Sequence, residues 1–199
     1  MTLAEALEPL YREYIRRLDE MVARLPAGTA LTEHTTRTDD GQLALGATGL
    51  PLRFDVADAR DGHTYEVHGA KPDAPLAEEV RVAGVRVRLL PGNWEELPVA
   101  CVFESEPPAG DAEELADLLR GFAQVAWYGG FAAGGAGDRW TGRAHGVRVE
   151  LRGSEVQAVL DLGTCPPAAI EALCAAVAGY AEDRGPLAYL RVGGKAEAG

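Results

Sequence analysis

The sequence predicts an α+β fold: a largely antiparallel, twisted sheet or pair of sheets with helices packed on one face, built from a duplicated β-β-α unit behind an N-terminal helix. Three observations lead there. Residues 1–28 carry apolar side chains at helical spacing. Residues 29–104 and 146–162 carry them at strand spacing. A stretch of strand, turn, strand, double proline and helix occurs twice.

In the first segment Leu3, Leu7, Leu10, Tyr14, Leu18, Met21 and Leu25 recur every three or four positions, which places them on one stripe of a helix. Thr2 and Glu5 have capping-box spacing. Pro9 removes a backbone donor, so either the helix bends there or its regular part starts near Glu8. Pro26-Ala27-Gly28 ends it.

The next segment reads as strands. Asp40-Gly41, Asp61-Gly62 and Pro91-Gly92-Asn93 separate β-branched or alternating runs, as hairpin turns do. Val80-Arg81-Val82 and Val85-Arg86-Val87-Arg88-Leu89 alternate apolar and basic residues, so one face is buried and the other wet. Leu97 to Phe103 is more continuously apolar and belongs deeper. Asp111 to Val125 returns to helical spacing, with Asp111 as the expected N-cap and Leu115, Leu118, Leu119, Phe122 and Val125 facing inward. Gly129 to Gly137, five of its nine residues glycine, reads as a linker. Strands resume at Gly146–Leu151 and Val156–Leu162, a helix at Pro167–Ala181 with Ile170, Leu173, Cys174, Val177 and Tyr180 inward, and a last strand at Leu187–Val192.

The repeat is the most informative feature. Gly84-Val85-Arg86-Val87-Arg88-Leu89 matches Gly146-Val147-Arg148-Val149-Glu150-Leu151 at five of six positions. Pro107-Pro108 corresponds to Pro166-Pro167, and Glu113, Leu115, Gly121, Phe122 and Ala123 to Glu171, Leu173, Gly179, Tyr180 and Ala181. A fainter third copy opens at Gly49–Phe54, with Thr64–His68 as its hairpin partner and the N-terminal helix covering both. A lone hairpin with one helix cannot bury its apolar face, so the units must complete one another. The expected divisions are an N-terminal helix (1–28), hairpins and the first β-β-α unit (29–128), a linker (129–137), a second β-β-α-β unit (138–193) and a flexible tail (194–199). Together they form one compact domain.

Composition bounds the function. A chain of 199 residues buries roughly 70% of its unfolded surface and needs neither disulfide nor metal to fold. The net charge of −12 opposes binding to nucleic acid and to anionic membrane, and suits an acidic surface that captures a basic partner. Among 19 basic residues only Lys71 and Lys195 are lysines, which reads as the codon bias of a GC-rich genome, and a bacterial source is expected. Cys101, Cys165 and Cys174 form no CxxC pair, which favours a reducing compartment. With no basic-then-apolar leader and no long apolar run, the expected location is cytoplasmic.

No motif specifies a reaction. The glycine run lacks the Gly-Lys-Ser/Thr ending of a phosphate loop and follows a helix rather than a strand. His34, His63, His68 and His145 have no metal-ligand spacing and read as exposed or turn residues. Asp55, Asp58 and Asp61 recur every third residue, the wrong period for a calcium loop, and read as a polar hairpin loop. Cys165 precedes a helix whose dipole would lower a thiol pKa, but no histidine lies near it in sequence. Neither a metal nor a cofactor is expected.

Two surface features remain. Trp127, Tyr128 and Trp140 flank the glycine run and suit a ligand groove or an interface anchor, or else pin the linker ends to the core. Arg81, Arg86 and Arg88, with Arg148 at the position matching Arg86, project from the polar sheet face, where they suit an anion or acidic partner or else pair with neighbouring carboxylates. The first functional expectation is a non-enzymatic binding, adaptor or chaperone-like protein that engages a protein partner or a second copy of itself as a homodimer. A small-molecule pocket between the repeats is the alternative, and a hydrolase with dispersed catalytic residues the third.

Overall fold

The computed structural model describes residues 1–46, 49–69, 78–132, 139–184 and 187–194. Lys71, Lys195, most of the glycine run and most of the tail lie outside them.

Helix α1 (Leu3–Ala23) starts as its sequence dictates. The Thr2 hydroxyl accepts from the Glu5 N–H at 3.1 Å and the Glu5 carboxylate accepts from the Thr2 N–H at 2.7 Å, a reciprocal cap worth about 1 kcal/mol. The Ala4 N–H, another donor without an intrahelical acceptor, bonds Glu171 at 2.7 Å. Pro9 neither starts nor stops the helix. Leu3 and Leu7 before it and Leu10, Tyr14 and Leu18 after it are all buried. At about 2 kcal/mol per buried large side chain, the stripe outweighs the roughly 3 kcal/mol a mid-helix proline costs.

Two sheets follow. The smaller joins β1 (Ala30–Thr35), β2 (Arg53–Asp58) and β3 (Thr64–Tyr65) in that order, all antiparallel. The larger is built from β4 (Glu79–Val82), β5 (Val85–Leu89), β6 (Leu97–Phe103), β7 (Gly146–Arg152), β8 (Glu155–Asp161) and β9 (Leu187–Val192). Its order is β4-β5-β9-β6-β8-β7, and β5 with β9 is its one parallel pair. With α2 (Ala109–Trp127) and α3 (Pro167–Arg184), the described residues make an α+β fold of three helices and two mostly antiparallel sheets.

The sheet order corrects one expectation. Residues 91–93 do not close a hairpin, because β9 lies between β5 and β6 and bonds to both. A local turn signal specifies a reversal of direction, not the neighbour a strand finally takes. The β7–β8 turn at Gly153-Ser154 does close a hairpin, with Arg152 opposite Glu155. Strand, strand and helix thus occur twice in the same order, while β9 enters only one of the two strand pairs.

Helix α2 lies against β7 and β8, α3 against β4 and β9, and the two helices touch. Between them and the sheet sit Val87, Leu97, Val99, Cys101, Leu115, Leu119, Leu160, Ile170 and Leu190, all in one buried cluster. Helix α1 packs on α3 and reaches β2 through Tyr14. The α2 start also differs from expectation. The helix begins at Ala109 behind Pro108, so Asp111 stands in its first turn rather than at its cap. Pro107-Pro108 keeps the preceding chain extended, and no side chain caps the helix start. Val125, expected inward, is 49% exposed, while Ala126 and Trp127 beyond it are buried.

Candidate functional site

The face of the larger sheet away from the helix-packed core is set by strand parity. Glu79 and Arg81 alternate with buried Val80 and Val82, and Arg86 and Arg88 flank buried Val87. The register then lays one row across all six strands: Glu79, Arg88, Arg191, Ala100, Gln157 and Glu150. By the same parity Arg148 and Arg152 stand on this face from β7, and Glu155 and Asp161 from β8. Guanidinium groups therefore outnumber carboxylates here, in a chain whose net charge is −12.

The arginines fall into two groups. On β7 and β9 they are paired: Arg148 to Glu150 at 2.9 Å, Arg152 to Glu150, and Arg191 to Glu155 and, at 3.2 Å, to Gln157. On β4 and β5 the described residues hold them more loosely, with one long ion pair between Arg86 and Glu79. Arg86 lies 3.9 Å from Glu79, Arg81 donates to the Gly84 carbonyl at 3.1 Å, and Arg88 stacks 4.1 Å from the Tyr189 ring centroid. Arg81 and Arg88 are exposed and Arg86 is half-buried. Arg81 and Arg86 are direct cross-strand neighbours, a like-charge juxtaposition that costs stability unless something negative relieves it.

The aromatic candidates divide differently. Trp127 is buried under the Arg53 guanidinium, 4.6 Å from its centroid, and donates to the Pro51 carbonyl at 3.2 Å. It thereby fastens the end of α2 to the approach of β2. Tyr128 stacks edge-on against it and is 66% exposed. Trp140 turns instead to α1, where its indole N–H donates to Asp19 at 3.2 Å. The structure brings Trp127 and Tyr128 together and sends Trp140 elsewhere.

The sequence hides a second cluster. At the corner between the two sheets a cavity of about 340 Å³ is lined by Tyr14, Asp55, Glu66, Glu95, His145 and Asp161, among others. Asp55, expected in a polar loop, is in β2 and 3% exposed. His145, expected at the surface, is 9% exposed. The Tyr14 hydroxyl donates to Asp55 at 2.5 Å and the Val67 N–H donates to its other oxygen at 2.8 Å. The Nδ1 of His145 lies 3.5 Å from Asp55 and 3.8 Å from Asp161.

Burial sets the protonation states. It pushes the Asp55 carboxyl up to about 6, against the lowering effect of Tyr14 and Val67, with Glu66 and Glu95 adding to the rise. Burial and then the Asp55 charge raise Asp161 well above the usual carboxylate range. Since 42% of the Asp161 side chain is open to solvent, water moderates the first of these causes. Burial, aided by Arg53, lowers His145 to about 3, so its imidazole is neutral at pH 7.

Of Asp55, His145 and Asp161, only Asp161 opens appreciably to solvent. Both Asp55 oxygens are occupied from within the protein. The Nε2 of His145 faces Gly163, where an added Cβ would stand 2.6 Å away, and it has no hydrogen-bond partner among the described residues. Turned toward Gly163, that Nε2 cannot take a proton from a ligand in the cavity. A parallel network surrounds Glu33, whose carboxylate accepts from the Thr141 N–H at 2.7 Å and from the hydroxyls of Thr141 and Thr164. Cys165 is buried, and that burial raises its thiol to about 12, the reverse of helix-dipole activation. Among the described residues no group of three or more His, Cys, Asp or Glu is placed to hold a metal ion. No described helix is long and apolar enough to cross a membrane.

Sequence reasoning found the arginines because period two is legible in a single strand. It missed Asp55 and His145. Their one signal is parity: Arg53, Asp55 and Ala57 alternate in β2, and His145 adjoins the alternating run of β7. Compared with known protein families, with characterised proteins and with solved structures, the chain shows no significant match to any.

Proposed function

We propose that the protein is a non-enzymatic binding or adaptor protein, and that its β4–β5 arginines dock an acidic segment of a protein partner. The observation that carries this reading is the trio Arg81, Arg86 and Arg88, presented side by side with only one long carboxylate contact, Arg86 to Glu79 at 3.9 Å, among the described residues, on a chain of net charge −12. Guanidinium groups suit the task because they offer paired donors to a carboxylate and stack on aromatic rings, as Arg88 already does on Tyr189. The remaining negative charge of the molecule repels an acidic partner from other approaches, so attraction is confined to this face.

The internal repeat belongs to the same proposal. Common descent of residues 84–125 and 146–183 would explain why Arg86 and Arg148 occupy matching positions in two strand–strand–helix runs. It also requires that β9 was later admitted between β5 and β6 only.

A fluorescein-labelled oligoglutamate peptide is the test probe, read by fluorescence anisotropy at low salt, with oligolysine as the control. Binding is expected to weaken steeply with salt and to fall by about tenfold in an Arg86→Glu/Arg88→Glu variant. Equal affinity of wild type and variant would defeat the proposal, as would a preference for oligolysine.

A further inference from the structure

The two edges of the larger sheet are unequal. Edge strand β4 has four residues and ends at once in the Ala83-Gly84 turn. Edge strand β7 has seven, paired without a register break to β8, and contains no proline. Natural sheets protect an edge by shortness, proline, a bulge or charged side chains, and of these β7 has only the charges of Arg148, Glu150 and Arg152.

The outward-facing groups can be assigned. The Phe103 N–H donates to the Ser154 carbonyl, which fixes residues 154, 156, 158 and 160 as those bonding β6. The residues between them bond β7, through Arg152, Glu150, Arg148 and Gly146. The N–H and C=O groups of Val147, Val149 and Leu151 therefore point away from the sheet, and none has a backbone partner among the described residues.

We infer that this edge pairs with β7 of a second copy of the same chain, antiparallel about a two-fold axis at Val149. The strand is its own complement in that register. Val149 faces Val149, Val147 faces Leu151, Arg148 faces Glu150 and Glu150 faces Arg148. The outward backbone groups make the hydrogen-bonded pairs. The charged residues fall on the non-hydrogen-bonded pairs, where side chains approach most closely. On the helix side the pairing covers Leu151, 45% exposed in the single chain, and the half-buried Val149. A register shifted by two residues sets Arg148 against Arg148, or Glu150 against Glu150, so charge as well as geometry selects the symmetric one. The two sheets join into one, and the β4–β5 arginines lie at its two far ends. This inference does not depend on what those arginines bind.

The test is the mass in solution by light scattering. Wild type is expected to rise from 21.1 kDa toward twice that value with concentration. Arg148→Glu alone sets Glu against Glu across the axis, and Glu150→Arg alone sets Arg against Arg, so each single variant is expected to stay at the monomer mass. An equimolar mixture of the two restores opposite charges at every contact and is expected to dimerise, which a merely local effect of either substitution cannot produce. Hydrogen exchange of the wild type gives a readout that needs no variant: the Val147, Val149 and Leu151 amides slow with rising concentration, while those of Arg148 and Glu150 are protected throughout. The inference is overturned by a wild type that stays monomeric into the millimolar range, by single variants that still dimerise, by a mixture that does not, or by outward amides indifferent to concentration.

Discussion

Gly193→Ala is expected to destabilise the protein by at least about 3 kcal/mol. Gly193 follows β9 with φ +87, a region that an L side chain enters at a cost of about 1–2 kcal/mol. An added Cβ would also lie 2.1 Å from the Leu90 carbonyl oxygen and 3.0 Å from its carbon, both backbone atoms that cannot swing aside. The surroundings are tied on every side. Leu90 N–H donates to Val192 at 2.9 Å, Gly193 N–H to Pro98 at 2.8 Å and Gly194 N–H to Pro91 at 2.9 Å. Gly84→Ala is the matched control: its φ is +83, but nothing lies within 4 Å of an added Cβ, so about 1 kcal/mol is expected. Urea unfolding of the two variants separates conformation from collision. Equal costs would refute collision with Leu90 as a source of the loss at Gly193.

Stability is expected to increase on acidification from pH 6 to 4.5. Asp55 titrates near 3.8 when unfolded and near 6 when folded. Its contribution is complete below the unfolded value and is lost as pH rises through the folded one. Asp161 has the same sign, since its folded carboxyl is also raised. His145 opposes them: lowered from 6.5 to about 3, it favours the folded state above 6.5 and progressively less below. Two carboxyls against one imidazole leave a net proton uptake on folding of up to one. Because Asp161 is 42% open to solvent, its share is discounted, and a slope of at most about 1 kcal/mol per pH unit remains. Glu13, lowered to about 2 by Arg16 and Arg17, reverses the trend only below 4.5. In Asp161→Asn the Asp55 and His145 contributions nearly cancel and the profile flattens. A wild type that loses stability steadily from pH 6 to 4.5 would refute the buried-acid account of this corner.

Much of the fold was legible and the reasons are local. The α1 stripe, its Thr2–Glu5 cap, the β7–β8 hairpin and the arginine alternation all rest on periods of two to four residues along one chain. What was illegible depends on distant partners. Nothing near residues 85–103 says that residues 187–192 will come between them. Asp55 reads as a loop residue until Tyr14 and Val67 supply its donors. His145 reads as exposed until Gly163 makes room for its ring.

The strand that joins the sheet is also the last of the described elements along the chain. Before residues 187–192 exist, the sheet is two separate pieces, a β4–β5 hairpin and the three-stranded β6–β8–β7. A ribosome-bound chain short of that point has Val87, Val99 and Cys101 partly uncovered, so final closure waits for the last strand to slot between two finished neighbours. Such a late, non-local step makes for slow folding, and it leaves a nascent intermediate with two unpaired edges that a chaperone would recognise.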